Sequence, residues 1–364
     1  RTFLGQAGAD MSMSHKESVS LSRWIKLLGR CLVALGLLGW LLSGQRGYQV
    51  WRMLAQLQTV PFLTACLLYG LAQVLSSWRW QWLARTVTIE ARLGWLVRLY
   101  FVGMFFNLFL PTSMGGDFVR SWLLARRTQR HELRHAVLSV LSERLNGLIA
   151  LLVLGCLASL SVVGRLPLWQ VAVMGSLALS SILLLVLLPI LGKRLVPLAN
   201  LAQALSISAQ QLPVWWRAFL VSLLVQLAAV VQVWLVANAL HLHISLAVLA
   251  VVVPLVTVAS LIPVSIAGLG LREGTLMLLL GPLGVSATEA VSLGLGWLAM
   301  QGVTSLVGLP LWLTLPETAS LSSQTSPSGE HSQGSRALRH GEFTHGRLGG
   351  DSHQGREGQS AVAA

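Results

Sequence analysis

Two stretches of this chain combine residue types that could hold an anion within an apolar setting. The first is Leu110-Pro111-Thr112-Ser113-Met114-Gly115-Gly116-Asp117-Phe118-Val119-Arg120, and the second is Ile262-Pro263-Val264-Ser265-Ile266-Ala267-Gly268-Leu269-Gly270-Leu271-Arg272. Aligned on Pro111 and Pro263, both read Pro-x-Ser-x-(Gly/Ala)-Gly-x-x-x-Arg, each matched position lying 152 residues from its counterpart. Proline and glycine interrupt a helix and leave backbone N–H groups unpaired. A half-helix restarting near Gly116 turns its amino end toward the break, where an anion is favoured. Arg120, one turn further on, adds a bidentate fork suited to phosphate. Gly268, Gly270 and Arg272 repeat the arrangement. Asp117 and Glu273 then balance the arginines when the site is empty. The alternative for Arg120 and Arg272 is a role as interfacial anchors.

Glu143 and Arg144 are the other chemically loaded pair, because they lie inside a long apolar run, about residues 136–163. A charge at membrane depth costs roughly 2.5–3.5 kcal/mol even on a lenient scale, so both need partners. Neighbours on a helix point about 100° apart, so the two are expected to meet different groups. Either they line a polar cavity, with Glu143 a candidate proton or cation carrier, or they bond to backbone freed at the broken helices. Enzyme signatures are missing: there is no Gly-x-Ser-x-Gly, His-Glu-x-x-His, P-loop or dinucleotide fingerprint. No cofactor and no metal site are expected. Cys31, Cys66 and Cys156 lie in apolar segments without metal-ligand spacing and read as small hydrophobes.

The elements that must position these residues are membrane helices. The chain is 54% hydrophobic and 11% charged, against about 25% charged in soluble domains. Apolar runs of spanning length recur along it. The net charge of +13 comes from Lys and Arg between those runs, which the positive-inside rule explains better than nucleic-acid binding does. Six full spans are expected, near 31–42, 60–78, 136–163, 169–190, 214–239 and 288–315. The short runs 99–110 and 246–262 are expected to be re-entrant, each ending in one of the two motifs. Trp78-Arg79-Trp80-Gln81-Trp82 reads as an interfacial belt with a basic anchor.

The predicted fold is therefore an all-α, polytopic membrane bundle of about eight spanning or re-entrant segments. Residues 21–315 form it, in halves of about 21–163 and 164–315, between a polar leader (1–20) and a Ser-, Gly- and His-rich tail (316–364). That tail reads as solvated, with a loose metal-binding tract as the alternative. Matched segments at offsets near 152–155 imply an internal repeat. It is inverted if the motif segments are re-entrant, as in many secondary transporters, and parallel if all eight segments cross.

Four motifs together resemble the lysylphosphatidylglycerol synthase transmembrane-region family, also called flippase-like domain proteins. They are Asn107-x-Phe109-Leu110-Pro111, Gly115-Gly116-Asp117-x-x-Arg120, Glu143-Arg144-x-x-Gly147 and Pro263-x-Ser265-x-x-Gly268-x-Gly270-x-Arg272-Glu273-Gly274. The resemblance covers about residues 20–315. It implies a multi-pass protein of a bacterial or archaeal inner membrane that modifies or moves lipids. In some members a soluble aminoacyl-transferase domain is fused to this region; here only the polar tail follows residue 315, which favours the translocase role. The resemblance places the functional centre at residues 115–117, 120, 143–144, 268, 270 and 272–273; Asn107, Ser113 and Ser265 complete the expected substrate-contacting set. The expected substrate is an anionic phospholipid or lipid-linked glycan headgroup, moved by ion coupling or facilitation. The expected setting is a bacterial cytoplasmic membrane with a cytoplasmic N-terminus. The alternatives are a membrane-embedded lipid-modifying transferase, a non-catalytic subunit working with a separate lipid-synthesising enzyme, or an assembly scaffold.

Overall fold

Length sorts the helices of this chain into two kinds. In the computed structural model, which describes residues 45–109, 115–127, 133–191, 211–261 and 268–315 together with Gly36, Gly39 and Ser43, the elements are all helical. They run α1 (Gln45–Ala55), α2 (Thr59–Thr86), α3 (Leu93–Phe109), α4 (Gly115–Arg127), α5 (Leu133–Ser161) and α6 (Leu168–Leu191). After a gap come α7 (Leu212–Ala239), α8 (Leu246–Ser260), α9 (Leu271–Leu280), α10 (Ala287–Ser305) and α11 (Gly308–Leu313). Among them α2, α5, α7 and the α10–α11 stretch are long and apolar enough to cross a membrane. At 24 residues, α6 has the length as well. The expected span at 31–42, the leader and the polar tail lie outside the described residues.

The short helices pair up. α3 and α4 have 17 and 13 residues, and α8 and α9 have 15 and 10. At 1.5 Å per residue none exceeds roughly 26 Å over its described residues, less than the roughly 30 Å hydrocarbon core. Each pair packs on itself as a helical hairpin, with one of the two motifs at its turn. That is the geometry of a re-entrant segment.

The repeat extends to the backbone. α2 and α7 are both 28 residues long and start 153 positions apart. Both end in the same cap. Ile89 N–H reaches Ala84 C=O (3.0 Å) and Thr88 N–H reaches Arg85 C=O (3.0 Å); 153 positions on, Leu242 N–H reaches Ala237 (2.9 Å) and His241 N–H reaches Asn238 (2.9 Å). These are the paired bonds of a Schellman motif. Its left-handed residue is Thr88 in one copy (φ 64) and His241 in the other (φ 60), the two non-glycine residues with positive φ among those described.

The packing map is symmetric too. Matching α2 with α7, α3 with α8, α4 with α9 and α5 with α10, each contact between these elements has its counterpart. α5 lies on α7 and α8, as α10 lies on α2 and α3, while α2 and α7 lie on each other. The direction of that last pair decides the symmetry. Gln58 N–H, at the start of α2, bonds Ala239 C=O at the end of α7 (2.9 Å), and Arg79, late in α2, bonds Ser222, early in α7 (2.6 Å). Repeat-equivalent helices thus run antiparallel, so the pseudo-two-fold axis lies across them and the halves are inverted. Leu63, Leu67, Leu71 and Val74 form an exposed stripe on α2, and Trp216, Leu220, Leu224 and Leu227 form its mate on α7. Such stripes suit hydrocarbon rather than water.

Two outcomes are expected. Cysteines placed at Thr88 and His241 in a cysteine-free background should react with a membrane-impermeant maleimide from opposite sides of sealed vesicles; reaction from one side would exclude the inversion. Gly116→Ala should lower Tm markedly, because its Cβ would fall on the Gly103 carbonyl oxygen, a backbone atom that cannot swing away. Gly175→Ala on α6, where nothing lies within 4 Å, should leave Tm unchanged or raise it.

Candidate functional site

Burying charge among apolar helices demands compensation, and the first half supplies it from four helices. Glu143 on α5 is 1% exposed. Its Oε1 accepts from Arg79 of α2 and from the Tyr100 hydroxyl of α3 (3.0 Å), and its Oε2 accepts from Arg120 Nη2 of α4 (2.6 Å). Arg120, 2% exposed, lies against the rings of both Trp80 (4.8 Å) and Tyr100 (4.6 Å), two cation–π contacts. Its Nε is 3.1 Å from Asp117 Oδ1, an ion pair without hydrogen-bond alignment. Arg79 continues the network: Nη1 donates to Ser222 (2.6 Å), whose hydroxyl donates to Asn146. Trp80 is fixed through its indole N–H to Ser139 (3.1 Å). The ions number three arginines against two carboxylates, counting Arg144, which binds Asp117 Oδ1 (2.7 Å) and is 51% exposed. Glu143 and Arg144 do face different partners, as their angular separation requires. Arg144 is the open edge of the cluster.

The N–H groups of motif 1 are less free than its sequence implies. Gly116 N–H is accepted by Asn107 Oδ1 (2.8 Å), so Asn107 caps α4 instead of facing a cavity. Gly116 is required by the close approach of α4 to Gly103 of α3. Gly115 opens the helix. Ser113, in the turn, lies outside the described residues, as does Ser265 in the second motif.

The second half holds its arginine differently. Arg272, 9% exposed, lies 4.8 Å from the Trp297 ring and donates to Gln301 Oε1 (3.1 Å), both on α10. It has no carboxylate within ion-pair distance among the described residues. Glu273 is within electrostatic reach of Arg272 but makes no ion pair with it. Glu273 folds back to accept Gly270 N–H at the start of its own helix (2.7 Å), since neighbours on a helix diverge; its other oxygen, Oε1, is buried without a partner. Gly268 and Gly270 have φ of 74° and 80°, the left-handed region open to glycine. Gln232, the α7 counterpart of Arg79, is 2% exposed with its Nε2 unpartnered. Tyr69 on α2 is within electrostatic reach of Arg144 in one half and Arg272 in the other, so the two clusters are neighbours.

A family model described as the lysylphosphatidylglycerol synthase TM region matches residues 27–308. The chain belongs to this family. No curated protein matches it significantly. Within the lysylphosphatidylglycerol synthase TM region, sequence reasoning missed Arg79, Tyr100 and Ser222 as parts of the buried network. Arg79 was expected at the interface, but α2 runs on to Thr86 and carries it inside, 4% exposed. The signal available was the lack of any helix breaker between Pro61 and Thr88 other than Gly70.

Glu143→Gln should destabilise the protein by about 3–5 kcal/mol, because two buried arginines lose their shared carboxylate. Arg144→Gln, half-exposed, should change stability by about 1 kcal/mol or less. Denaturant unfolding of both variants in the same detergent checks the contrast.

Proposed function

We propose that this protein is a translocase for a phosphate-bearing, anionic lipid headgroup, either a phospholipid or a lipid-linked glycan. The observation that carries this reading is the inverted pair of helical hairpins, each bringing a motif arginine to a polar zone inside an apolar bundle. Two inverted halves around one zone are suited to alternating access. The imbalance between the clusters assigns the roles. Arg120 is ion-paired with both Glu143 and Asp117 and acts as a lock. Arg272, without a carboxylate partner among the described residues, and Gln232, with an unmet donor, are the groups left to grip phosphate, with Arg144 at the exposed edge.

This reading puts the protein in a bacterial cytoplasmic membrane with a cytoplasmic N-terminus, supported by the arginines gathered at one end of α2, α3 and α4. The family's name, that of a synthase region, supports a separate lipid-synthesising enzyme as a partner.

The test is reconstitution in vesicles containing a fluorescent phosphatidylglycerol, followed by quenching of the outer leaflet. The folded protein should expose inner-leaflet probe faster than empty vesicles. Arg272→Gln should slow this about tenfold or more, the loss expected for one charge-assisted bond to the substrate, with Tm retained. A rate equal to that of empty vesicles, or no effect of Arg272→Gln, would overturn the reading. A missing lipid species in a deletion strain would favour a role in synthesis.

A further inference from the structure

The base of the first hairpin, far from its motif turn, holds a cleft of about 910 Å³ whose wall carries Arg92, Arg98 and Arg127 against the single carboxylate of Glu90. We propose that this cleft is a second anion site, one that binds a phosphate ester at the membrane surface before or apart from any translocation.

Three observations converge on it. The cations come from three places: Arg92 from the α2–α3 loop, Arg98 from α3 and Arg127 from the end of α4. Arg92 has no partner among the described residues, and Arg98 has only a contact at 3.5 Å with Thr314. Arg127 lies over the Trp95 ring, 4.2 Å away, a contact that leaves guanidinium N–H groups free to donate. The Trp95 ring lines the cleft, and its indole Nε1 is buried with no acceptor. A phosphate ester meets the excess positive charge of this wall.

The site is also rigid. Ile89 is fully buried and closes the Schellman cap of α2, and Gln81 Nε2 holds Ala91 C=O at 2.8 Å. The loop carrying Glu90 and Arg92 is therefore tied at both ends. Apolar Leu124 and Leu311 complete the lining, which suits the glycerol or first methylenes of a lipid. The volume is within the usual range for small-ligand sites.

The internal repeat supplies a control. At the equivalent positions of the second half stand Ser245 for Arg92, Val248 for Trp95, Val251 for Arg98 and Leu279 for Arg127. Those three apolar residues are buried. The same fold location is thus packed shut in one half and open and basic in the other. Clustering of positive charge at the cytoplasmic face explains arginines there; it does not explain a cleft.

The test uses the full chain in phosphatidylcholine nanodiscs, in an Arg272→Gln background so that loss of the translocation reading leaves this site intact. Dihexanoyl phosphatidylglycerol and, separately, sn-glycerol 1-phosphate are titrated by calorimetry. Arg92→Gln/Arg127→Gln should weaken binding about tenfold, as expected for lost charge-assisted contacts. Arg52→Gln/Arg165→Gln removes the same charge elsewhere and should leave affinity unchanged. Equal affinity in the two double variants would overturn the proposal. If the first double variant elutes as aggregate, Arg92→Gln alone becomes the reading: a several-fold loss supports the site and an unchanged affinity overturns it. Within a positive result, comparable binding of both probes assigns the site to soluble phosphate esters, and binding of the lipid alone assigns it to a headgroup in the leaflet.

Discussion

Glu143 is the carboxylate on which the first half depends. It is almost completely buried and holds Arg79 and Arg120 at once, tying α2 and α4 to α5. In an apolar bundle each ion carries a large desolvation penalty, offset only when geometry and hydrogen bonding are complete. The Tyr100 hydroxyl, the Trp80 and Tyr100 rings and the Ser222–Asn146 relay supply most of that compensation, while the buried Nε atoms of Arg79 and Arg120 go without a hydrogen bond. Because the partners come from α2, α3, α4 and α5, the network can form only when the hairpin is docked. It converts the position of a re-entrant segment into an all-or-none electrostatic condition.

The second half keeps the architecture and drops the acid. Where Arg120 finds Glu143, Arg272 finds the face of Trp297 and the amide of Gln301. Where Arg79 lies on α2, Gln232 lies on α7 with an unmet donor. An inverted repeat with equal halves has no built-in preference for either; unequal charge compensation gives it one. An ion-paired cluster thus lies beside one held by an aromatic ring and an amide. Tyr69 is within electrostatic reach of both Arg144 and Arg272.

The same asymmetry recurs at the base of the hairpins. The first half leaves a basic cleft under α3 and α4, while its counterpart is filled by valine and leucine. Charge thus differs between the repeats at these places, while the lengths and caps of α2 and α7 remain matched. Backbone geometry is constrained by the need to satisfy every N–H and C=O in hydrocarbon. Side chains in polar zones are not under that constraint, and that is where the halves have come apart.

Much of this was legible in the order of residue types. Apolar runs of spanning length, the shorter runs between basic flanks, and Pro-x-Ser-x-(Gly/Ala)-Gly-x-x-x-Arg used twice together specified a helical membrane bundle with an internal repeat, since lipid leaves the backbone few other choices. The buried pair Glu143-Arg144 announced itself because charge within an apolar run must have partners. Who those partners are was not legible. Asn107 as a cap, Gly116 as a close-contact residue, Glu273 turned to its own helix end and Arg79 drawn inside are decided by which helix faces meet, over separations of up to 143 residues. The sequence by itself determined that ions would be buried and the fold repeated. Only the tertiary structure decided that the repeat is inverted and which arginine is left without an acid, because pairing direction and ion partnership are properties of helices packed together and not of any one of them.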